Sequence, residues 1–488
     1  MPPGLRKWFT PAAWVAVVSG ALLLIFPAGF PNYDTIYALV WGRELADGMS
    51  PDYGSALPPT PHPLTDLQGL VTSPLGEGAI TVTMVIAYVA LSLCAYFVYR
   101  LGSLWFDRPI GVVAAAIVLT RAPFLSNGIR AYIDIPYLAL CLGALLVETR
   151  RTRAGWPVLA LLVPAGLLRP EAWLFSAVYL VYLAIPPAAA DGPKSRLRLD
   201  FSAHRPRWWV GMGALALAGP LLWAGFDWVT TGSPTYSFTG TQETVDQLGR
   251  KTGPVDLVLY GPRRLGEVLQ WPGMVGALGG VVLGLAFLRR RSTLGVAAAV
   301  LALAAFAVLA TAGLAIIARY TMLAGAILAV FAALGLLGWR LLEPDHPWRR
   351  AWQAFAVLVA LVFVAWIPNQ YDLLKTVDRD LGDQAKIEGD LDELADSGAF
   401  EPICGPISVP NHRPVPRLAF DLDLRPSEIV SSSEQHQPPR GVFLDVSGPF
   451  VTEHFILDPN DPVRLVTEVP PGFRETARNE SWIVYHRC

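Results

Sequence analysis

Residues 289–340 read RRRSTLGVAAAVLALAAFAVLATAGLAIIARYTMLAGAILAVFAALGLLGWR. Two apolar runs, 292–317 and 321–338, are separated only by Ala318, Arg319 and Tyr320. Each is close to the ~20 residues that a helix needs to cross the hydrocarbon core of a bilayer. Arginines stand at both far ends, Arg289, Arg290 and Arg291 before the pair and Arg340 after it. The stretch therefore predicts two membrane helices that turn around Arg319 and return to the basic side.

Working outward, further apolar runs lie at 11–30, 79–99, 109–126, 133–147, 156–168, 170–186, 209–228, 273–288 and 352–368. The total is eleven, of which 156–168 is short for a span. The first follows Arg6 and Lys7 and has no small-residue cleavage site, so it reads as a retained span. With the N-terminus in the cytoplasm, alternate turns carry Arg100 and Arg108; Arg150, Arg151 and Arg153; Lys194, Arg196, Arg198, Arg205 and Arg207; Arg289 to Arg291; and Arg340, Arg349 and Arg350. That is the pattern of the positive-inside rule, and one miscounted span would invert it downstream. The fold class expected is a multi-span α-helical protein of the cytoplasmic membrane with about eleven transmembrane helices. The composition agrees: 53% of the 488 residues are hydrophobic and 16% charged, where soluble chains carry about a quarter charged.

Three segments then face outward: 31–78, 230–272 and everything after Pro368. The last holds 21 Asp and Glu against 11 Lys and Arg. An amphipathic helix near Val377–Asp396 and strand-like runs at Ile403–Val409, Gly441–Val446 and Trp482–Tyr485 predict a small α/β extracytoplasmic domain over 371–488, after a transmembrane domain over 1–370. Cys404 and Cys488 bracket it and are expected to pair on the oxidising side. Cys94 and Cys141 fall within spans and read as small apolar residues.

Ionisable residues collect on the outward side, while the spans are nearly free of charge. Asp34 follows the first span and opens a helical pattern through Ile36, Leu39, Val40 and Leu45, which predicts a helix along the interface. Its carboxylate either caps that helix or does chemistry. His62, within Pro58-Pro59-Thr60-Pro61-His62-Pro63, could ligate a metal, hold an anion or cap a turn. Arg130 and Asp134 are spaced for an i, i+4 pair, but Asp134 at a span terminus also suits a cavity. Arg169-Pro170-Glu171 forms a charged turn between apolar runs, which favours a shared polar cavity over an isolated buried pair. Arg263, Arg264 and Arg319 run against the outer charge bias and make sense if an anion sits beside them. Guanidinium groups fork onto phosphate oxygens, a carboxylate can take a hydroxyl proton, and a second carboxylate can hold a divalent cation.

This arrangement resembles the GT-C superfamily of membrane glycosyltransferases, closest to the protein O-mannosyltransferase and aminoarabinose-transferase type. The resemblance rests on Asp34, Tyr37-Ala38, Gly48-Met49-Ser50-Pro51 and His62-Pro63-Leu64, followed by Tyr132-Ile133-Asp134-Ile135-Pro136, Arg169-Pro170-Glu171 and Arg319-Tyr320. It covers about the first 370 residues and is firmest over 30–175. It implies a polyprenyl-phosphate sugar donor, a lipid, glycan or protein acceptor, and inverting transfer of a hexosyl or pentosyl group. Asp34 is implied as general base, and Arg319 with Tyr320 as the donor-phosphate site, helped by Arg169 or Arg263. Asp134, with His62 or Glu171, would order a cation (Mg or Mn) or the acceptor. Asp34 is followed by Thr35 where many relatives have a second acid, and His62-Pro63 replaces a doubled proline, so metal dependence stays open. A lipid-linked-sugar flippase and an envelope scaffold are the alternatives. The basic residues are scattered over membrane turns, which gives no support to nucleic-acid binding.

Overall fold

The computed structural model describes residues 3–27, 29–186, 199–202, 204–455 and 465–488; Lys194, Arg196 and Arg198 lie outside them. The helices in chain order are α1 (Pro3–Ile25), α2 (Tyr33–Ala46), α3 (Pro63–Thr72), α4 (Gly78–Trp105), α5 (Arg108–Leu119), α6 (Ala122–Ile129), α7 (Asp134–Arg150), α8 (Trp156–Leu168) and α9 (Glu171–Ala184). They continue with α10 (Pro206–Thr231), α11 (Tyr236–Gln247), α12 (Gly253–Phe287), α13 (Arg289–Thr311), α14 (Met322–Leu337), α15 (Arg349–Ala365), α16 (Ile367–Asp396), α17 (Val415–Asp421) and α18 (Pro449–His454). Each of the eleven apolar runs is helical, and the protein is a multi-pass membrane protein. Five helical stretches are long and apolar enough to cross a bilayer unaided, or seven if the bent pairs α5–α6 and α15–α16 each count as one span. The others are shorter; α8 and α9, at 13 and 14 residues, fall below the ~20 that a full crossing takes.

The bundle closes by small-residue contact. On α12, a Cβ at Gly280 would stand 1.9 Å from the Phe331 carbonyl oxygen of α14, and one at Gly335 of α14 would stand 2.4 Å from the Gly276 carbonyl oxygen. Two helix backbones thus touch along one face, the usual way to gain packing between apolar helices that lipid solvates equally well.

The C-terminal residues form a five-stranded mixed sheet: β1 (Ile407–Val409), β2 (Ile429–Ser431), β3 (Gly441–Val446), β4 (Arg474–Arg478) and β5 (Trp482–Arg487), in the order β2-β1-β3-β5-β4. β1 runs parallel to β2 and β3, and β5 antiparallel to β3 and β4. β3, β5 and β1 were legible as apolar runs; β2 and β4 were not, being short or exposed. Cys404 and Cys488 are disulfide-bonded, as expected. The amphipathic helix begins ten residues earlier than read, at Ile367, so one continuous helix carries the chain from the bundle into the sheet domain.

α2 departs from the interfacial helix expected. Ile36, Tyr37, Val40 and Trp41 join Ile387, Leu391, Val409, Leu418, Leu444 and Trp482 in a second hydrophobic core. The opposite face meets α3, where Gly42 and Gly69 approach so closely that a Cβ on either would collide with backbone. Arg43 donates to the carbonyls of Ala419, Phe420 and Leu424 at the end of α17, and Glu44 pairs with Arg425 at 3.1 Å. α2 is therefore a buried floor shared by the bundle and the sheet domain.

Candidate functional site

The site grows from the N-terminus of α2. Asn32, not Asp34, is its cap: the Asn32 side-chain oxygen accepts from the backbone N–H of Asp34 at 2.9 Å and of Thr35 at 3.4 Å. The same side chain donates to the Arg130 carbonyl at 2.8 Å, and the Thr35 hydroxyl donates to the Ala131 carbonyl at 2.9 Å. Ala131, at φ +51°, takes the left-handed conformation that turns this loop under α2. The helix start and the 130–131 turn are thus one unit. With capping done by its neighbour, the Asp34 carboxylate points to Arg319, whose guanidinium lies 3.4 Å away. Both side chains keep about a quarter of their surface exposed, 27% and 25%.

Of the two readings open for Asp134, the i, i+4 pair with Arg130 is not the one formed. Asp134 at the start of α7 pairs instead with Arg169, which also binds Glu171 at 2.6 Å. All three are buried. A single guanidinium between two carboxylates ties α7 to the α8–α9 turn, a better-compensated arrangement than a local pair beside lipid. Arg169 further lies 4.1 Å from the centre of the Tyr320 ring, while Arg319 is 5.8 Å from the same ring. Arg319 and Arg130 flank the Tyr132 ring at 5.5 and 5.2 Å. The Nε of Arg130 and of Arg319 are buried and have no hydrogen-bond partner among the described residues.

His62 is buried edge-on against Trp223, 5.4 Å between ring centres. Burial, with Arg169 and Arg319 nearby, pushes it down to about 3, so it is neutral. Tyr37 is fully buried and bonds Ser55 at 2.8 Å; it is a core residue rather than part of the site, because α2 turns that face into the second core. Arg263 is exposed and Arg264 partly so; both are held by Glu267, and Arg264 also donates to the Ile316 carbonyl at 2.9 Å. Arg264 braces α12 against the segment before Arg319.

Asp134 and Glu171 share the single guanidinium of Arg169, so the cluster keeps a net negative charge, and the Oδ2 of Asp134 and Oε2 of Glu171 are buried without a hydrogen-bond partner among the described residues. Among the described residues no three His, Cys, Asp or Glu side chains gather as ligands.

Two features escaped sequence reasoning. Arg121 is buried and donates to Gln270 at 2.8 Å, at the point where α12 kinks with φ +59°, and Trp366 donates to the same oxygen at 3.1 Å. The sheet domain also reaches the site: His412 packs edge-on against Tyr33, 5.3 Å between ring centres. Both join residues more than 90 positions apart, for which sequence carries no local signal.

No family model matches the chain, and no curated protein matches it by sequence. Among solved structures, ArnT from Cupriavidus metallidurans bound to undecaprenyl phosphate is similar with a TM-score of 0.54 at 13% identity, over 99% of this chain and 98% of that one. ArnT from the same organism in the apo state gives 0.51 at 13% identity with the same coverage. The Archaeoglobus fulgidus oligosaccharyltransferase in the apo form gives 0.46 at 12% identity, over 87% of this chain and 65% of that one. At such identities the likeness is one of fold. The chain shares its fold with ArnT, and the match extends past residue 370 through the sheet domain.

Proposed function

We propose that the chain is a glycosyltransferase that moves a hexosyl or pentosyl group from a polyprenyl-phosphate donor to an acceptor hydroxyl. The reaction takes place at the outer face of the cytoplasmic membrane, with the N-terminus cytoplasmic, residues 1–370 forming the transferase bundle and 371–488 an extracytoplasmic domain above it. The observation that supports this most is the meeting of one accessible carboxylate, Asp34, with one accessible guanidinium, Arg319, at the end of the bundle that the sheet domain covers. The fold match to an ArnT bound to undecaprenyl phosphate supports a lipid phosphate as donor.

In this reading Asp34 accepts the acceptor's hydroxyl proton as that oxygen attacks the anomeric carbon. The bond from that carbon to the phosphate oxygen breaks, and its electron pair leaves with the lipid phosphate. Arg319 and Arg130, held on Tyr132, receive the phosphate oxygens and stabilise the charge that develops there. Asp134 and Glu171 are both bound to Arg169, and Asp34, partly exposed beside Arg319, is the carboxylate assigned to the chemistry. One displacement and inversion at the anomeric carbon follow. Arg169 acts as a positioning residue that sets the Tyr320 ring.

The test uses purified protein in nanodiscs with radiolabelled polyprenyl-phosphate sugars and an acceptor extract of envelope glycans. Asp34→Asn is expected to lower transfer by ~10²–10⁴-fold, the usual worth of a general base, while polyprenyl phosphate still binds. A folded Asp34→Asn protein that transfers at the wild-type rate overturns the assignment. Lipid movement across reconstituted liposomes without any new glycosidic bond overturns the reaction itself in favour of a flippase.

A further inference from the structure

A cleft of about 970 Å³ with a mixed polar and apolar lining opens between the first loop, α11 and the sheet domain, at the large end of the ~300–1,000 Å³ that ligand sites span. Its walls come from Tyr53 and residues 54–61, from Tyr236, Thr239, Glu243 and Gln247 of α11, and from the loop after β2 that carries Glu434. Two of its wall residues connect to the chain segments that carry Asp34 and His62. The carbonyl of Leu57 in the wall accepts from the Tyr33 hydroxyl at 3.0 Å, next to Asp34, and Pro61 in the wall is followed by His62.

The cleft is built rather than incidental. Thr60 and Thr241 bond across it at 2.6 Å, Ser237 donates to the Pro61 carbonyl, and Gln242 ties α11 to the Ala312 carbonyl at 2.8 Å. The Tyr53 and Tyr236 rings lie 5.3 Å apart in one wall. Glu434 is held by His412 and Ser431. The ends of Thr239, Glu243 and Gln247 are left exposed. Among the described residues lining it there is no Lys, Arg or His. That lining repels phosphate and carboxylate groups. Hydroxyls, amides and one free carboxylate accept and donate to alcohols, and tyrosine faces take the C–H faces of sugar rings.

We infer that this cleft is the acceptor site and that the acceptor is a neutral glycan of several sugar units, extended from Asp34 toward the sheet domain. This rests on the transferase reading for the identity of the acceptor, but the binding itself does not. The chain end whose hydroxyl is to be glycosylated would enter beside Asp34, and the remaining units would lie along α11.

Saturation-transfer NMR on the full-length protein in nanodiscs tests this. The probes are neutral tetrasaccharides of mannose, arabinose and glucose, carboxylated and aminated tetrasaccharides, and a serine-rich peptide. At least one neutral tetrasaccharide is expected to receive saturation. That signal should fall at least tenfold in Thr239→Trp, which fills the cleft from an exposed position, and fall in Glu243→Ala. Preference for a charged tetrasaccharide or the peptide overturns the inference, as does binding that neither Thr239→Trp nor Glu243→Ala changes, or no binding of any neutral probe. Polyprenyl phosphate binding is measured on the same samples. Its absence from the wild type would sink the transferase reading while leaving a glycan site standing, and its presence without glycan binding would sink only the inference.

Discussion

The carboxylate of Asp34 and the guanidinium of Arg319 meet at 3.4 Å across 285 residues of chain. Neither is buried, and neither belongs to the tightly compensated Asp134–Arg169–Glu171 cluster beside them. A loose, partly solvated pair contributes little to stability, which is consistent with the roles proposed for the two side chains.

Arg169 and Arg319 should therefore respond differently to removal. Arg169→Ala strands two buried carboxylates and is expected to cost about 3–5 kcal/mol, seen as a large fall in the unfolding midpoint in detergent. Arg319→Ala should leave that midpoint nearly unchanged and weaken polyprenyl phosphate binding at least tenfold. Equal thermal stability of the two variants would contradict the division of roles.

Asn32→Ala removes the cap of α2 and its bond to the Arg130 carbonyl. A lost cap costs ~0.5–2 kcal/mol. Because the same side chain frees Asp34 from capping, transfer should fall further than the stability loss explains. Asn32→Asp, which can still cap, should restore the helix but not the bond that Asn32 donates to Arg130. A rate unchanged in Asn32→Ala would separate the cap from catalysis.

Asp445 on β3 is buried with its own neighbour's N–H as partner, and burial pushes it up from 3.8 to about 6. Between those values the folded chain keeps a proton that the unfolded chain has released. Stability is thus greatest below about pH 4, declines as pH rises to about 6, and is flat beyond. Asp445→Asn should abolish that slope and stabilise the sheet domain near pH 7 by an amount on the order of 1–3 kcal/mol. Hydrogen exchange at β3 and β5 across pH 4–7 reads it; an unchanged slope in the variant would refute the assignment.

The Cys404–Cys488 disulfide closes a separation of 84 residues around the sheet. Cys488→Ser is expected to lower sheet-domain stability by about 2–5 kcal/mol, with protease sensitivity appearing in β4 and β5 before the bundle. Simultaneous loss of both regions would show that the sheet domain and bundle unfold as one.

The extent of sequence legibility follows the range of the interactions involved. Apolar runs are local, so each one predicted is largely helical, although 109–126 breaks into α5 and α6 bent by 62°, and β1, β3 and β5 were visible for the same reason. Arg319 and Asp34 shared an expected membrane side, which suggested but could not establish contact. The Arg130–Asp134 pair was the best local partner choice, yet Arg169 displaced Arg130 once α7 met the α8–α9 turn. Tyr37 sat in a motif shared with the GT-C resemblance, but the sheet domain closes over it.

By itself, then, the sequence determined a multi-pass helical bundle, an acidic C-terminal domain with one disulfide, and the candidate charges to examine. Hydropathy period and charge order are properties of neighbouring residues, so folding was not needed to read them. Only the tertiary structure decided which carboxylate is spent and which is free, because burial and ion pairing are settled between helices far apart in the chain. It also decided that α2 is a shared floor, and that three distant segments line one cleft.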